Sequence, residues 1–590
     1  MKPKTLNDIF STIVDRGHER VMLAREGSQW VPISSKQFYG QVAGMARALS
    51  GRGLAKGDRL AILSENRPEW AVADFACFQL GVVVVPIYAT LTAQQTAYIL
   101  RDSGARIVVV STKDQLAKVL SIKDQTALEN IVIMDPAETA EAIPMRRWLH
   151  NAPAGRDPEL DARARTIVAD DLASIIYTSG TTGTSKGVRL THGNLAANIM
   201  CSLEGFDVHP GHTSVSFLPL SHVTARHVDL ALLYRGVTLV YCPCFELLAQ
   251  TLVEVPPTIF VGVPRVYEKI YSAVEQKAQG FPKRGIYRWA LSVGRAHQNE
   301  ILAGQTPKSF RWKLANKLVF SPVRKRMGGN VEIFVSGGAP LGYDLAEWYA
   351  AIGIRIHEGY GLTETSPVIA VNNPRAHKLG TVGRPLSNVE VRIAHDSEIL
   401  VRGPSVFRSY WNRPDETDCA FEDDWFKTGD IGNLDEEGFL SVTDRKKDLL
   451  KTSGGKFIAP QPIENSLKLN AFIGTAVVVG DRRKFATVII SPFFSLLEEW
   501  ARSNHIAFSS RQSLIANPKV QRFYEDIVDE VNRNLARYET LKKVLLVPDE
   551  FSPDDGTLTP TLKLRRKFVE ERFRKQIDEL YEEAELANVG

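Results

Sequence analysis

Four segments between residues 59 and 111 constrain the fold more than anything else in this chain. RLAILSEN reads as a strand ending in a turn, and RPEWAVADFACFQLG as a helix. VVVVPIY is a buried strand, and ARIVVVS (105–111) repeats the theme. Runs of β-branched residues apolar on both faces, separated by helical periodicity, predict a parallel sheet covered by helices. The same rhythm returns at TLVYCP, PTIFVGVP and NVEIFVSGG. The longest apolar stretch, CFQLGVVVVPIYATL (77–91), is broken by Gln79, Gly81 and Pro86 and is too short to span a bilayer. It is expected to be a helix end, a glycine turn and a buried strand.

Beyond this region the chain changes character twice. Residues 264–329 are strongly helical and Lys/Arg-rich, with Trp289 and Trp312, and are expected to pack outside the large domain. From Gly380, short strands with glycine turns (VEVRI, EILVRGP, GFLSVTD) predict a small β-rich subdomain over about 380–446. The charged run DRKKD (444–448) precedes a return to strands and helices: TAVVVG, KFATVIISP, a helical stretch over 520–538, and KKVLLVP. The expected boundary lies near Lys447. The predicted fold is α/β. A large N-terminal domain (1–446) holds two helix-flanked sheets and the β-rich subdomain, and a small α+β domain (447–590) follows. The tail RRKFVEERFRKQIDELYEEAE mixes charge signs at helical spacing and reads as a helix with a solvated face.

Composition excludes several classes. At 590 residues, 44% hydrophobic and 24% charged, the chain is neither disordered nor fibrous. A formal charge of +4 is too small to imply a nucleic-acid partner. Five scattered cysteines give no disulfide framework and suit a reducing cytosol. The N-terminus has no apolar core followed by a small-residue cleavage site, so a cytoplasmic protein is expected, with peripheral membrane contact left open.

Five segments carry candidate chemistry. ASIIYT runs into Ser179, Gly180, Thr181, Thr182, Gly183, Thr184, Ser185 and Lys186, followed by the helix-like THGNLAANIM. Glycines let the backbone approach a polyphosphate, hydroxyls and N–H groups bond its oxygens, and lysine adds charge. VEIFVSGGAPL ends a strand on Gly337-Gly338. In IRIHEGYGLTETSP, Tyr360 offers a flat face for a base and Glu364 a hard oxygen for Mg²⁺, although either could sit in an ordinary turn. In WFKTGDIG, Asp430 follows Gly429 on a turn, as a capping residue or as an acceptor for two ribose hydroxyls. GTLTPTLKLRR places Lys563 in a Thr/Pro-rich loop, where a solvated lysine is the commoner state.

Taken in order, YTSGTTGTSKGV, FLPLSHV, SGGAPL, GYGLTETSP, WFKTGD, DRKKD and TPTLKLRR resemble the adenylate-forming superfamily of acyl-CoA synthetases, firefly luciferase and peptide-synthetase adenylation domains. PTIFVGVPRVYEKI, the helical insertion after it and LTPTLKLRR are most similar to long-chain fatty acyl-CoA synthetases. The resemblance implies a reaction in two halves. A carboxylate attacks the α-phosphate of Mg·ATP to give acyl-AMP and pyrophosphate, and the thiol of coenzyme A then displaces AMP.

It also implies roles. Thr178 to Thr184 with Lys186 would hold the β- and γ-phosphates. Tyr360 would stack on adenine, with Gly361 beside it and Gly338, Ala339 and Pro340 lining the pocket. Thr363 would contact the α-phosphate, Glu364 would hold Mg²⁺, and Asp430 with Arg445 would bind the ribose. Lys563 would bridge carboxylate and α-phosphate, and His222 would lie at the carboxylate end of the acyl pocket, unless it is a structural histidine. Lys447 would be the hinge of a rotation bringing Gly454 and Gly455 to the CoA side. After LPLSHV the chain reads VTARHVD, where relatives often carry an aromatic residue or glycine, so acyl length is not implied. A carrier-loading acyl-AMP ligase, a luciferase-like oxygenase and a non-catalytic nucleotide-binding relative share these motifs.

Overall fold

The computed structural model describes residues 2–136, 139–149, 155–178, 185–278, 280, 282–453, 456–552, 555–559 and 564–587, with side chains through 583. The expected strand–helix–strand rhythm becomes two large sheets. In the first, seven strands lie in the order Ile143–Pro144, Asn130–Ile133, Ile107–Val110, Arg59–Leu63, Val83–Ile87, Leu172–Thr178 and Lys186–Thr191. All neighbours are parallel except the last pair. Ile107–Val110 is buried at every position, as an apolar run in a doubly covered parallel sheet must be.

The second sheet runs from Arg384–Pro385 through Val368–Val371, Ile356–Gly361, Ile333–Ser336, Ile259–Gly262, Thr213–Ser216, Thr238–Tyr241 and Met22–Glu26 to Gln29–Ile33. Helices between the sheets unite their inner faces in one apolar core. Phe10, Phe38, Phe75 and Phe78 interlock there, with Phe10–Phe75 centroids 4.8 Å apart. The helix Pro68–Leu80 is buried almost all round, and Gly81 ends it in the left-handed conformation (φ 69°). Capping boxes at Thr5, Ser34, Thr92 and Thr191 satisfy the first N–H groups of four other helices.

The β-rich region forms a five-stranded sheet: Glu390–Ile393, Glu398–Arg402, Trp425–Leu434 and Phe421–Glu422 in order, with Leu440–Arg445 also on Trp425–Leu434. Beyond it, Ile473–Val479, Ala486–Pro492 and Leu541–Leu546 make a three-stranded sheet packed on both faces. The helix Pro518–Asn532 stops short of the expected 538, because the Asn532 side chain exchanges two hydrogen bonds with the Leu541 backbone. The tail helix Arg574–Ala587 is not solvated all round: Ile577 and Tyr581 are buried on the sheet's second face. The 264–329 stretch is helical as expected and packs outside the second sheet in its own cluster with Trp312 and Phe320.

Candidate active site

Parallel strands open a crevice at their carboxyl ends, where backbone N–H and C=O groups leave the ladder. Ile333–Ser336 and Ile356–Gly361 are parallel neighbours, with Ser336 opposite Glu358. Their carboxyl ends set Gly337-Gly338 beside Gly359-Tyr360: a Cβ on Gly337 would lie 3.7 Å from the Gly359 carbonyl. Gly338 has φ 86°, a turn that Ala339 and Pro340 then follow. Gly361 has no substitute, since a Cβ there would stand 1.8 Å from the Pro367 carbonyl oxygen. Thr363 and Glu364 form the short turn that follows, with Thr363 buried.

Asp430 lies within the strand Trp425–Leu434 rather than on the expected turn. A bulge between Ile431 and Gly432 displaces the register there, and Arg445 sits directly opposite Asp430 on the neighbouring strand. Arg445 Nε lies 3.1 Å from Asp430 Oδ1, and the Tyr360 hydroxyl donates to Asp430 Oδ2 at 2.7 Å. Burial alone would lower the pKa of Arg445, but Asp430 and its neighbours more than offset it and hold the guanidinium charged. Burial, then the adjacent Asp430 charge, pushes the Tyr360 phenol far above its usual range, so it remains a donor. Tyr360, Asp430 and Arg445, predicted separately, therefore form one cluster.

The phosphate-loop residues Ser179, Gly180, Thr181, Thr182, Gly183 and Thr184 lie outside the described residues. The two ends of the loop are described, and they correct the expectation of a strand-to-helix turn. Thr178 pairs with Lys186 across an antiparallel hairpin, and the strand Lys186–Thr191 intervenes before the helix His192–Ser202. Lys186 therefore opens a strand and not a helix, and the helix N-terminus at His192 lies six residues further on.

Sequence reasoning missed the segment that meets this hairpin. Residues 409–411 add to its outer edge: Val188 bridges Tyr410, and Trp411 N donates to Gly187 O at 2.7 Å. Tyr410 thereby stands between two predicted site residues. Its ring centroid is 5.4 Å from Lys186 Nζ, and its hydroxyl donates to Glu364 Oε1 at 3.0 Å. Lys186 also pairs with Glu416. Arg413 donates to the Tyr98 hydroxyl at 3.1 Å, and Tyr98 donates to Ser185 O at 2.9 Å, fixing the loop's exit. The only signal in the sequence was SYWNRPDE, an aromatic pair followed by alternating charges, with no motif to mark it.

Burial raises the pKa of Glu364, while Tyr410 and Arg445 lower it by less. A carboxylate disfavoured by burial gains from a nearby cation. Among the described residues no group of three acidic, His or Cys side chains could hold a metal. Glu364 alone suits Mg²⁺, which keeps most of its waters and binds through one or two carboxylates and phosphate oxygens.

Three more predicted residues lie outside the described residues, and two have their own settings. His222 caps the helix Val223–Arg235, its Nδ1 accepting from Thr224 N at 3.2 Å. That helix carries a buried polar knot in which Arg226 forms a bidentate pair with Asp74, both bonds at 2.7 Å. Lys447 is exposed, two residues beyond Arg445. Gly454, Gly455 and Lys563 lie outside the described residues. The flanks of Lys563 are tied down: Leu558 bridges Leu564, Arg565 N donates to Thr557 O at 2.9 Å, and Arg566 pairs with buried Glu464.

Comparison with known proteins identifies the family. Residues 10–411 match the family described as AMP-binding enzyme, and residues 447–585 its C-terminal domain. The chain is 37% identical over 561 residues to the long-chain-fatty-acid–CoA ligase FadD15 of Mycobacterium bovis, covering 94% of this chain and 92% of the relative. It is 32% identical to the Xenopus laevis ligase ACSBG2, covering 99% and 84%. Among solved structures, the anthranilate CoA ligase AuaEII in complex with anthranoyl-AMP superposes with a TM-score of 0.73 at 19% identity, covering 97% of both chains. The chain belongs to the AMP-binding enzyme family of adenylate-forming proteins.

Proposed function

We propose that the protein is an AMP-forming long-chain fatty acid–CoA ligase. The observation that carries adenylation is the joining of Tyr360, Asp430 and Arg445 in one cluster at the strand ends, with Glu364 and Lys186 on either side of Tyr410. The acyl class is supported by relatives named as long-chain-fatty-acid–CoA ligases that align over nearly the whole chain.

Asp430 would accept the ribose hydroxyls, while Arg445 holds its carboxylate in place. Tyr360 presents its ring to the base with its hydroxyl fixed by Asp430, against a wall of Gly338, Ala339 and Pro340. Lys186, with Thr178 to Thr184, would neutralise the polyphosphate. Glu364 would hold Mg²⁺, which supplies charge neutralisation at the phosphates. Thr363 lies at the start of the same turn, where it would face the α-phosphate. Lys563 would bridge the attacking carboxylate and that phosphate, an interaction most useful in the transition state. His222 would stand at the carboxylate end of the acyl site. The C-terminal body, pivoting at Lys447, would then exchange Lys563 for the Gly454-Gly455 segment and admit coenzyme A. The protein would work in the cytoplasm.

The experiment is AMP formation from Mg·ATP over acids from acetate to oleate plus aryl acids, with and without CoA. AMP and thioester formed from long acids only when CoA is present are expected. Pyrophosphate release indifferent to CoA would move the assignment to a carrier-loading ligase, and no turnover with any acid would refute it.

A further inference from the structure

The overall charge of +4 conceals a segregation. Residues 276–331 contain twelve lysines and arginines and one acidic residue, Glu300, whereas the rest of the chain carries 60 basic and 67 acidic residues. A segment at +11 is thus set on a body at −7.

The segment folds as the helices Lys283–Ala296, Gln298–Leu302 and Phe310–Ala315, the last continued by a π turn (Asn316–Phe320) and Ser321–Lys325. Its inner face is firmly held. Trp312, Ala315 and Phe320 are buried, and the Trp312 and Phe320 centroids are 5.1 Å apart. Gly294 lets the first helix lie against the backbone at Ala351, where a Cβ would stand 1.9 Å from the carbonyl oxygen.

The outer face is different. Phe310, Leu314 and Leu318 are 79%, 39% and 52% exposed. Their four-residue spacing stacks them along one side. Arg311, Lys313 and Lys317 are exposed beside them, and among the described residues they make no ion pair. On the first helix Ile286 is 42% exposed, between exposed Lys283, Arg284 and Arg288. The two cations that do have partners point elsewhere: Arg324 bonds the Ile352 carbonyl and Asn316, and Arg295 reaches Glu347 at 3.9 Å. Single exposed apolar side chains are ordinary. An apolar row flanked by unpaired cations, with no carboxylate among them, is the chemistry of a surface that meets apolar matter beneath a layer of negative charge.

We propose that this face docks the protein on an anionic lipid bilayer, with Phe310, Leu314 and Leu318 entering the headgroup boundary and Arg311, Lys313 and Lys317 meeting lipid phosphates. The net-negative remainder of the chain is repelled by the same surface, so charge sets the orientation as well as the attraction.

The test is co-sedimentation of the full chain with vesicles of phosphatidylcholine alone and of phosphatidylcholine with phosphatidylglycerol, at low and high salt. Vesicle binding is read without ATP, acid or CoA, so it stands apart from ligase activity. Binding to the anionic vesicles, weakened by salt and much poorer on the neutral ones, is expected. Phe310→Ser/Leu314→Ser/Leu318→Ser and, separately, Lys313→Glu/Lys317→Glu should each weaken it on the order of tenfold or more, at roughly fivefold per cation. Unchanged melting temperatures show that the variants fold, as fits exposed positions. Equal binding to both vesicle types, wild-type affinity in both variants, or no binding at all would overturn the proposal. So would a concentration-dependent dimer abolished by the triple variant without any vesicle binding, which would assign the face to a second copy of the chain.

Discussion

The Tyr360 hydroxyl donates to Asp430 Oδ2 at 2.7 Å, a bond between the carboxyl end of a strand in the nine-stranded sheet and the five-stranded sheet. Asp430 is held from its other side by Arg445. Two partners hold the carboxylate in one orientation, which would lower the cost of ordering if it binds the ribose as proposed. Asp430→Ala should reduce kcat/KM for ATP at least on the order of 100-fold, since two hydrogen bonds to a charged acceptor contribute about 1.5–3 kcal/mol each. Tyr360→Phe keeps the ring and loses only the fixing bond, so a reduction of roughly three- to tenfold is expected, about 1 kcal/mol. Steady-state kinetics at saturating acid and CoA measure both, and a Tyr360→Phe loss as large as that of Asp430→Ala would argue against the assigned division of labour.

Lys186 is shared between Glu416 and the Tyr410 ring. A polyphosphate must draw it away from Glu416. Glu416→Gln removes that competitor and should lower the half-saturating ATP concentration up to about fivefold, because a partly exposed pair is worth no more than about 1 kcal/mol. Lys186→Met should raise it. A rise in both variants would show that Glu416 positions the lysine rather than competing for it.

Arg226 and Asp74 are 4% and 2% exposed and bonded twice. Desolvation outweighs the attraction of Arg226, so the Asp74 pKa remains raised. Removing one partner strands a buried charge: Arg226→Met should destabilise by about 3–5 kcal/mol, whereas Arg226→Met with Asp74→Leu should recover much of that loss. Denaturant unfolding of the two variants tests it, and an additive loss in the double variant would rule out the stranded charge as the cause.

Glu358, on the site strand Ile356–Gly361, accepts among the described residues one long side-chain bond, from Leu341 N at 3.4 Å, and burial raises its pKa to about 7. An acid raised on folding binds more protons folded than unfolded. Its destabilising contribution is therefore absent below about pH 4, grows as pH rises to about 7 and is then constant. Glu358→Gln should be nearly neutral at pH 4 and stabilising at pH 8, by roughly 1–3 kcal/mol. Thermal melts at the two pH values check the sign, and a greater gain at the lower pH would contradict it.

Lys563→Ala should suppress adenylation far more than thioester formation from supplied acyl-AMP. Lys447→Pro should do the reverse, because proline restricts the dihedral that a pivot must change. Rapid-quench assays of the separate half-reactions distinguish them, and equal loss of both halves in either variant refutes its role.

The sheets were legible because burial on both faces writes itself into local sequence: VVVVPIY and ARIVVVS can be little else. The strand ends that hold the candidate site were legible, as at SGGAPL and GYGLTE, because a buried apolar run stops there on glycine. What stayed hidden was pairing over long separations. Tyr410 meets the hairpin at Val188 across more than two hundred residues, and nothing local to SYWNRPDE announces the bridge. Asp430 was misplaced onto a turn because Gly429, which has φ 70° within the strand beside a bulge, looks in sequence like the glycine of a tight turn. The hairpin at Lys186 was hidden in the same way, since KGVRLT is short and its apolar alternation merges with the helix that follows.

Lys446, one residue beyond Arg445, is fastened by Asp396 and Glu398, each at 2.7 Å, and its backbone N–H donates to Gly429 O at 2.9 Å. Its neighbour Lys447 is exposed. A bearing behaves this way when its housing is bolted and its axle is not. If the C-terminal body pivots at Lys447 as proposed, torque from it would be stopped at Lys446 before reaching Arg445, and the strand proposed to hold the ribose would not have to flex. On that proposed motion the nucleoside would stay seated from one half-reaction to the next, and the intermediate would not have to be given up for the shape to change.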